Sequence, residues 1–343
     1  MKKVAVALDW TPNTNHTGFY VSRAKGWFEE EGVDIELVSP SVDGYKRTPA
    51  QRVAAGEALL AIAPKETVLS YVTAPEAKRE SHPPLVAVAT ILQENTSAIV
   101  TRKESGIDRP AKLDGKVYAS YAARYEGRIV QQLIRNDGGR GEYTEQPHPM
   151  LDIWDRLGDG SFDAAWVFMG HEGVDAEMRG VDLNVFMLQD YGIPYGGGPV
   201  VLASAASLAD GAQRELIRAC MRAAARGFEY AAAHPDSAAE ILVAEAAKDG
   251  TELSLEMTKR SQAYLNKFLL GPDGKFGTMQ HDLFYSFAKF LSDTGMLTTH
   301  IQGRDTSKDG VTSLDGLRSG DVGEPIPLDS VPFKDLSVNW HEL

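Results

Sequence analysis

Between residues 4 and 203, short apolar runs rich in Val, Ile, Leu and Ala recur, at residues 4–8, 59–63, 85–91, 97–101, 162–168, 185–188 and 200–203. Continuous runs of this length suit strands buried on both faces, which occur where helices cover a largely parallel sheet. Most are separated by stretches with helical spacing, so the chain is constrained to an α/β arrangement. The first repeat is the most informative. Residues 4–8 read as a strand. Residues 9–16 then place Asp9, Trp10, Asn13, Asn15 and His16 around Pro12, which marks a turn. Phe19, Tyr20 and Ala24 resume helical spacing, and Gly26 ends it. In open α/β sheets ligands sit beyond the carboxyl ends of the strands. This elbow lies at such an end, with an aromatic plate and several donors and acceptors. The plainer reading is a capped helix start with one buried Trp.

Residues 33–38 alternate apolar and acidic residues, as a half-exposed strand does, and complete a right-handed βαβ unit. Residues 48–56 predict a helix. After residues 59–63 a second elbow, Pro64, Lys65 and Glu66, leads into another helix. The pattern restarts at residue 97, and residues 200–203 bring a further strand. From 210 to about 290 the chain changes character, with helical patterns rich in Ala, Glu and Arg broken at His234-Pro235 and at 271–274. Residues 300–329 are polar and without period, which predicts a long surface excursion or partly disordered arm; residues 336–343 are expected to pack back. This order predicts two discontinuous lobes, residues 1–95 plus 201–343 and residues 96–200. The expected architecture is a hinged, two-lobed α/β fold with a ligand cleft between the lobes.

Composition narrows the function. A chain of 343 residues accommodates two domains, and 43% hydrophobic residues supply a core. The net charge of -13 argues against a nucleic-acid partner. Cys220 is the one cysteine, so neither an intrachain disulfide nor a cysteine metal cluster is available. No run approaches the roughly 18 apolar residues of a membrane span. The basic start at Lys2 and Lys3 is followed by an apolar run that stops at Asp9 with no cleavage signature. A cytoplasmic location is therefore expected, or a periplasmic one if a leader was removed.

Candidate chemistry lies at the predicted strand ends. Trp10, Tyr121, Trp166 and Tyr195 could stack on a flat ring, or could simply be core. Glu172 could accept from a ring amine, or could be a first-turn acid of a helix. Asn13, Asn15 and His16 could contact a ligand or only cap the helix. Gly197, within Gly196-Gly197-Gly198, would let backbone approach a ligand closely; no Lys-Ser/Thr follows, so this is not a phosphate loop. Lys65 could hold an aldehyde as a Schiff base, pair with a ligand carboxylate or phosphate, or stand in solvent. His16, His171 and Glu172 are the available metal ligands. His171 and Glu172 are adjacent, and neighbours on a strand point apart, so no metal site is expected. Hydrolase motifs such as Gly-x-Ser-x-Gly and His-Glu-x-x-His are absent.

Residues 8–21 and 25–34, with matches at 61–68, 166–177, 271–279 and 339–343, resemble the pyrimidine-precursor-binding and thiamin-pyrimidine-synthase-like proteins. The resemblance covers most of the chain except about 300–335 and implies a type 2 periplasmic-binding-protein fold. It implies one of two activities. Bacterial members look like solute receptors that deliver a thiamin-pyrimidine precursor to an ABC transporter. Eukaryotic members are single-turnover synthases that use an active-site histidine, pyridoxal phosphate on a lysine, and iron near a cysteine-rich segment. This chain departs from the synthase pattern. Residues 195–201 stand where the cysteines would fall, Thr67 and Val68 stand where the histidine is expected, and Lys65 is offset. The expectation is a non-enzymatic receptor for a thiamin-type aminopyrimidine that closes by hinge motion. The alternatives are a pyridoxal-phosphate- and iron-dependent synthase, or a cytoplasmic sensor or carrier.

Overall fold

The computed structural model describes all residues except Ala122, 148–152 and 300–322. Most of the arm expected over 300–329 therefore lies outside the described residues. Ten strands are described: β1 (Lys2–Ala7), β2 (Val33–Val38), β3 (Leu60–Ala63), β4 (Leu85–Thr90), β5 (Ser97–Arg102), β6 (Val117–Ser120), β7 (Thr144–Pro147), β8 (Ala164–Phe168), β9 (Leu183–Met187) and β10 (Val200–Ser204). They form two five-stranded sheets within two compact units.

The first unit comprises Met1–Glu94, Gly196–Tyr285 and Val331–Leu343. Its sheet has the order β2-β1-β3-β10-β4, with β1 parallel to β2 and β3, and β10 antiparallel to β3 and β4. β3 and β4 are buried at every position, as their uninterrupted apolar sequence requires. The helix Thr17–Ala24 packs on the long helix Gly211–Ala233 at a crossing built from glycine. A Cβ on Gly227 would lie 1.9 Å from the Gly18 carbonyl oxygen, and one on Gly18 would lie 2.1 Å from the Phe228 ring. The close approach also lets Ser22 Oγ donate to the Ala223 carbonyl at 2.6 Å. Phe228 stands edge-on to Phe19 and stacks on Phe276 with centroids 3.9 Å apart. Cys220 is fully buried in this core, and burial pushes its thiol up to about 12.

The chain's last residues pack back, as expected. Val338 N–H donates to the Ala87 carbonyl, and Ala87 N–H donates to Leu336 O, both at 2.9 Å, so the tail runs beside β4. Trp340 is buried, and its indole N–H donates to Phe276 O at 3.3 Å.

The second unit comprises Asn95–Tyr195 and Ser286–Ser330. Its sheet has the order β7-β6-β8-β5-β9, with β6 parallel to β7 and β8, and β5 antiparallel to β8 and β9. The helix Glu126–Asn136 buries Ile129, Val130, Leu133 and Ile134, the i, i+1, i+4, i+5 stripe of a one-sided helix. Trp154, Leu157, Phe162, Ala165 and Val167 form a core cluster of the unit. Each sheet thus mixes parallel strands that need helical crossovers with antiparallel partners that do not.

Candidate functional site

In the first unit the elbow after β1 is built by its own polar residues. Asn13 Oδ1 accepts the Asn15 N–H at 2.9 Å and caps the short 3-10 turn Thr14–His16, while its Nδ2 donates to Thr11 O at 2.9 Å. His16 is fully buried. Its Nδ1 accepts the Asn13 N–H at 3.2 Å, so the ring proton sits on Nε2, which donates to Asp9 Oδ1 at 2.7 Å. Asn13 and His16 thus both take part in capping the turn, and His16 holds Asp9 against it. Asp9, Trp10 and Asn15 are half-buried. Trp10 meets Tyr45, with ring centroids 5.1 Å apart and planes at 49°.

The second elbow differs from the solvated picture of a lysine at a strand end. Pro64 is exposed, but Lys65, the first residue of the helix Lys65–Val72, is 3% exposed. Its ammonium donates to Gly196 O and, at 3.4 Å, to Leu283 O. Burial drives its pKa down to about 8, against the pull of the neighbouring Glu66 carboxylate. Glu66 lies half-buried in the helix's first turn. Gly197 has φ +68°, a backbone that favours glycine, and a Cβ there would lie 2.8 Å from Leu283 Cδ1 at the end of a flexible side chain.

In the second unit Trp166 is buried in β8 and stands edge-on to Tyr195, centroids 5.2 Å apart; Tyr195 is half-buried and stands edge-on to Phe287 at 5.6 Å. Tyr121 follows β6, half-buried, and its N–H donates to Glu126 Oε1 at 3.0 Å. Glu126 is buried at the start of its helix and also accepts from Tyr118 OH at 2.7 Å and Ala123 N–H at 3.1 Å. Burial outweighs these donors and raises its pKa to about 7. Nearby, Ser120 Oγ donates to Glu145 at 2.6 Å.

The expectation that His171 and Glu172 point apart is corrected. They lie not on a strand but in the π-type turn Met169–Gly173 after β8, so the alternation of a strand does not apply. His171 Nδ1 and Glu172 Oε1 are 3.4 Å apart, and Glu172 Oε2 accepts the Phe168 N–H at 2.9 Å. Burial works to raise the Glu172 pKa, yet the His171 interaction and the backbone donor outweigh it and hold the carboxyl below its ordinary range. His171 is raised, because the Glu172 interaction overcomes burial. The sequence reading passed over Tyr45 and Glu126. Gly44 before Tyr45 signalled the turn, but nothing local signalled its contact with Trp10. Among the described residues, no group of three His, Cys, Asp or Glu is placed to hold a metal, and no helix is long and apolar enough to cross a membrane.

Two mixed five-stranded sheets, each with polar and aromatic groups after its strands, define a type 2 periplasmic-binding-protein fold. The solved alkanesulfonate-binding protein SsuA from Xanthomonas axonopodis pv. citri is similar in fold, with a TM-score of 0.61 at 12% identity, covering 88% of this chain and 96% of that one. The chain belongs to the NMT1/THI5-like family, whose model matches residues 13–238. It is 28% identical over 282 residues to the formylaminopyrimidine-binding protein of Halalkalibacterium halodurans, covering 81% of each chain. It is 22% identical over 274 residues to the 4-amino-5-hydroxymethyl-2-methylpyrimidine phosphate synthase of Legionella pneumophila, covering 79% of this chain and 82% of that one.

Proposed function

We propose that this chain is a receptor that binds a small aminopyrimidine, a precursor of the thiamin pyrimidine, without converting it. The observation that carries the reading is the similarity, over 81% of both chains, to a protein named for binding formylaminopyrimidine. The side chains at the strand ends support it. A flat ring with amino substituents needs an aromatic face and an ionised acceptor. Trp10 is a half-buried indole of the first kind, and Glu172 a carboxylate of the second, held below its ordinary range by His171 and the Phe168 N–H. Lys65 and Asp9 add a buried cation and an oriented carboxylate. An ABC-type permease is the proposed recipient of the ligand; handing over to it would place the protein outside the cytoplasmic membrane.

Calorimetric titration with a formylated aminopyrimidine and with the free aminomethylpyrimidine tests the reading. Saturable binding, unchanged ligand by mass spectrometry afterwards, and loss of about tenfold to a hundredfold in affinity in Glu172→Ala are expected, the range of one charged hydrogen bond. No heat with either pyrimidine overturns it.

One observation favours a pyridoxal-phosphate synthase: a buried amine lowered to about 8 is the kind that adds to an aldehyde. The remaining residues do not fit. The Lys65 ammonium is already committed to Gly196 O and Leu283 O, and the one thiol, Cys220, is sealed in the core rather than placed to bind iron. A protein that stays colourless after incubation with pyridoxal phosphate is the expected result; a visible band lost in Lys65→Ala restores the synthase.

A further inference from the structure

Tyr45 is the one non-glycine with positive φ among the described residues, at +63°, and follows Gly44 at +66°. A left-handed conformation disfavours any side chain, and such residues persist where their surroundings fix them, often at binding sites. The surroundings here do fix it. Tyr45 N–H donates to Pro40 O at 2.9 Å, Lys46 N–H donates to Asp43 Oδ1 at 3.1 Å, and Asp43 pairs with Arg52 at 2.6 Å, tying the loop to the helix Pro49–Ala54. Glycine at position 45 would make the same turn without strain and Asn with less of it, so the phenol ring is what the position adds.

That ring does not plug the core. It is half-buried, as is Trp10, and the two rings meet at 49°. Both sit on loops just past the carboxyl ends of β1 and β2, which are neighbouring parallel strands of one sheet. Two aromatic planes inclined this way make a corner. A flat ring seated in it meets one face of indole and one of phenol.

We propose that Tyr45 is a ligand-binding residue that, with Trp10, forms an aromatic corner selecting a planar heteroaromatic ring over an aliphatic ligand. The inference rests on the receptor reading above and adds a specificity-determining residue to it. The test titrates wild type, Tyr45→Gly, Tyr45→Asn and Tyr45→Phe with the formylated aminopyrimidine, alongside urea unfolding of each. Tyr45→Gly and Tyr45→Asn should weaken binding about tenfold, the worth of one stacking contact, while stability is unchanged or rises because strain is relieved. Tyr45→Phe should recover most of the affinity. Equal affinity of wild type, Tyr45→Gly and Tyr45→Asn overturns the inference and leaves the receptor reading standing. Affinity that falls only in step with stability assigns Tyr45 a structural role and also overturns it. A wild-type protein that takes up no pyrimidine fails the receptor reading, and the corner falls with it.

Discussion

Asp9 and His16 are joined by a 2.7 Å hydrogen bond across the turn that follows β1, and the imidazole that makes it is fully buried. With the Asn13 N–H on the other ring nitrogen, both His16 nitrogens are committed. The imidazole is thus the internal brace of the elbow, and the residues it braces are the ones that face outward.

His16→Ala removes this brace, opens a cavity and leaves the Asn13 N–H without its acceptor. A loss of about 2–3 kcal/mol of stability is expected, combining an unsatisfied donor with lost packing. Urea unfolding measures it. Pyrimidine affinity should fall as well, because Asp9 and Trp10 share the loosened turn.

Lys65 makes stability depend on pH in the alkaline range. Its folded pKa is near 8, below the 10.5 of an ordinary lysine. Between those values the unfolded chain holds more protons at this site than the folded one, so stability rises as pH increases from 8 to 10.5. Below that window both states are protonated and the buried ammonium keeps its full cost. Lys65→Met should abolish this slope and leave the protein as stable or more so at neutral pH. Denaturant midpoints collected across the window decide the matter; an unchanged slope in the variant would show that another group is responsible.

Glu126 acts in the opposite sense. Its folded pKa is raised to about 7 from 4.5. The folded chain holds the extra proton between these values, so its contribution is complete below pH 4.5 and is lost as pH rises through 7. Glu126→Gln, which cannot titrate, should flatten stability across that interval. Tyr118 and Glu145 face the same group, and Ser120→Ala, which removes one donor to Glu145, is the control for the Glu145 share.

Gly227→Ala tests the helix crossing. The added methyl would stand 1.9 Å from Gly18 O and 2.3 Å from Ser22 Oγ, so the helices must part. The Gly18 backbone cannot swing aside as a side chain would, so the shift is costly, and a loss of about 3 kcal/mol is expected by thermal unfolding. Gly211→Ala, at a position with open space around it, should be nearly neutral.

Much of the α/β fold was legible because local signals agree with it. The run at residues 4–8, the proline at 12 and the helical spacing after it describe one strand, one turn and one helix, and β1, the turn Thr14–His16 and the helix Thr17–Ala24 follow. The family was legible for the same reason: its motif is continuous in sequence. The site was less so. Lys65 looked solvated because its partners, Gly196 and Leu283, are far away in the chain. His171 and Glu172 looked divergent because period-2 reasoning applies to strands, and a wide helical turn replaces the strand at that point. Tyr45 escaped because its meaning lies in a left-handed φ and in a contact between two separate loops.

The sealed thiol of Cys220 has a practical outcome. Since the chain carries no other sulfhydryl and this one is inaccessible and protonated, a cysteine introduced at Val42 or Val185, both on the surface, would be the sole reactive handle in the native protein. Dyes or spin labels could then be attached one per molecule without altering any native residue in the interior.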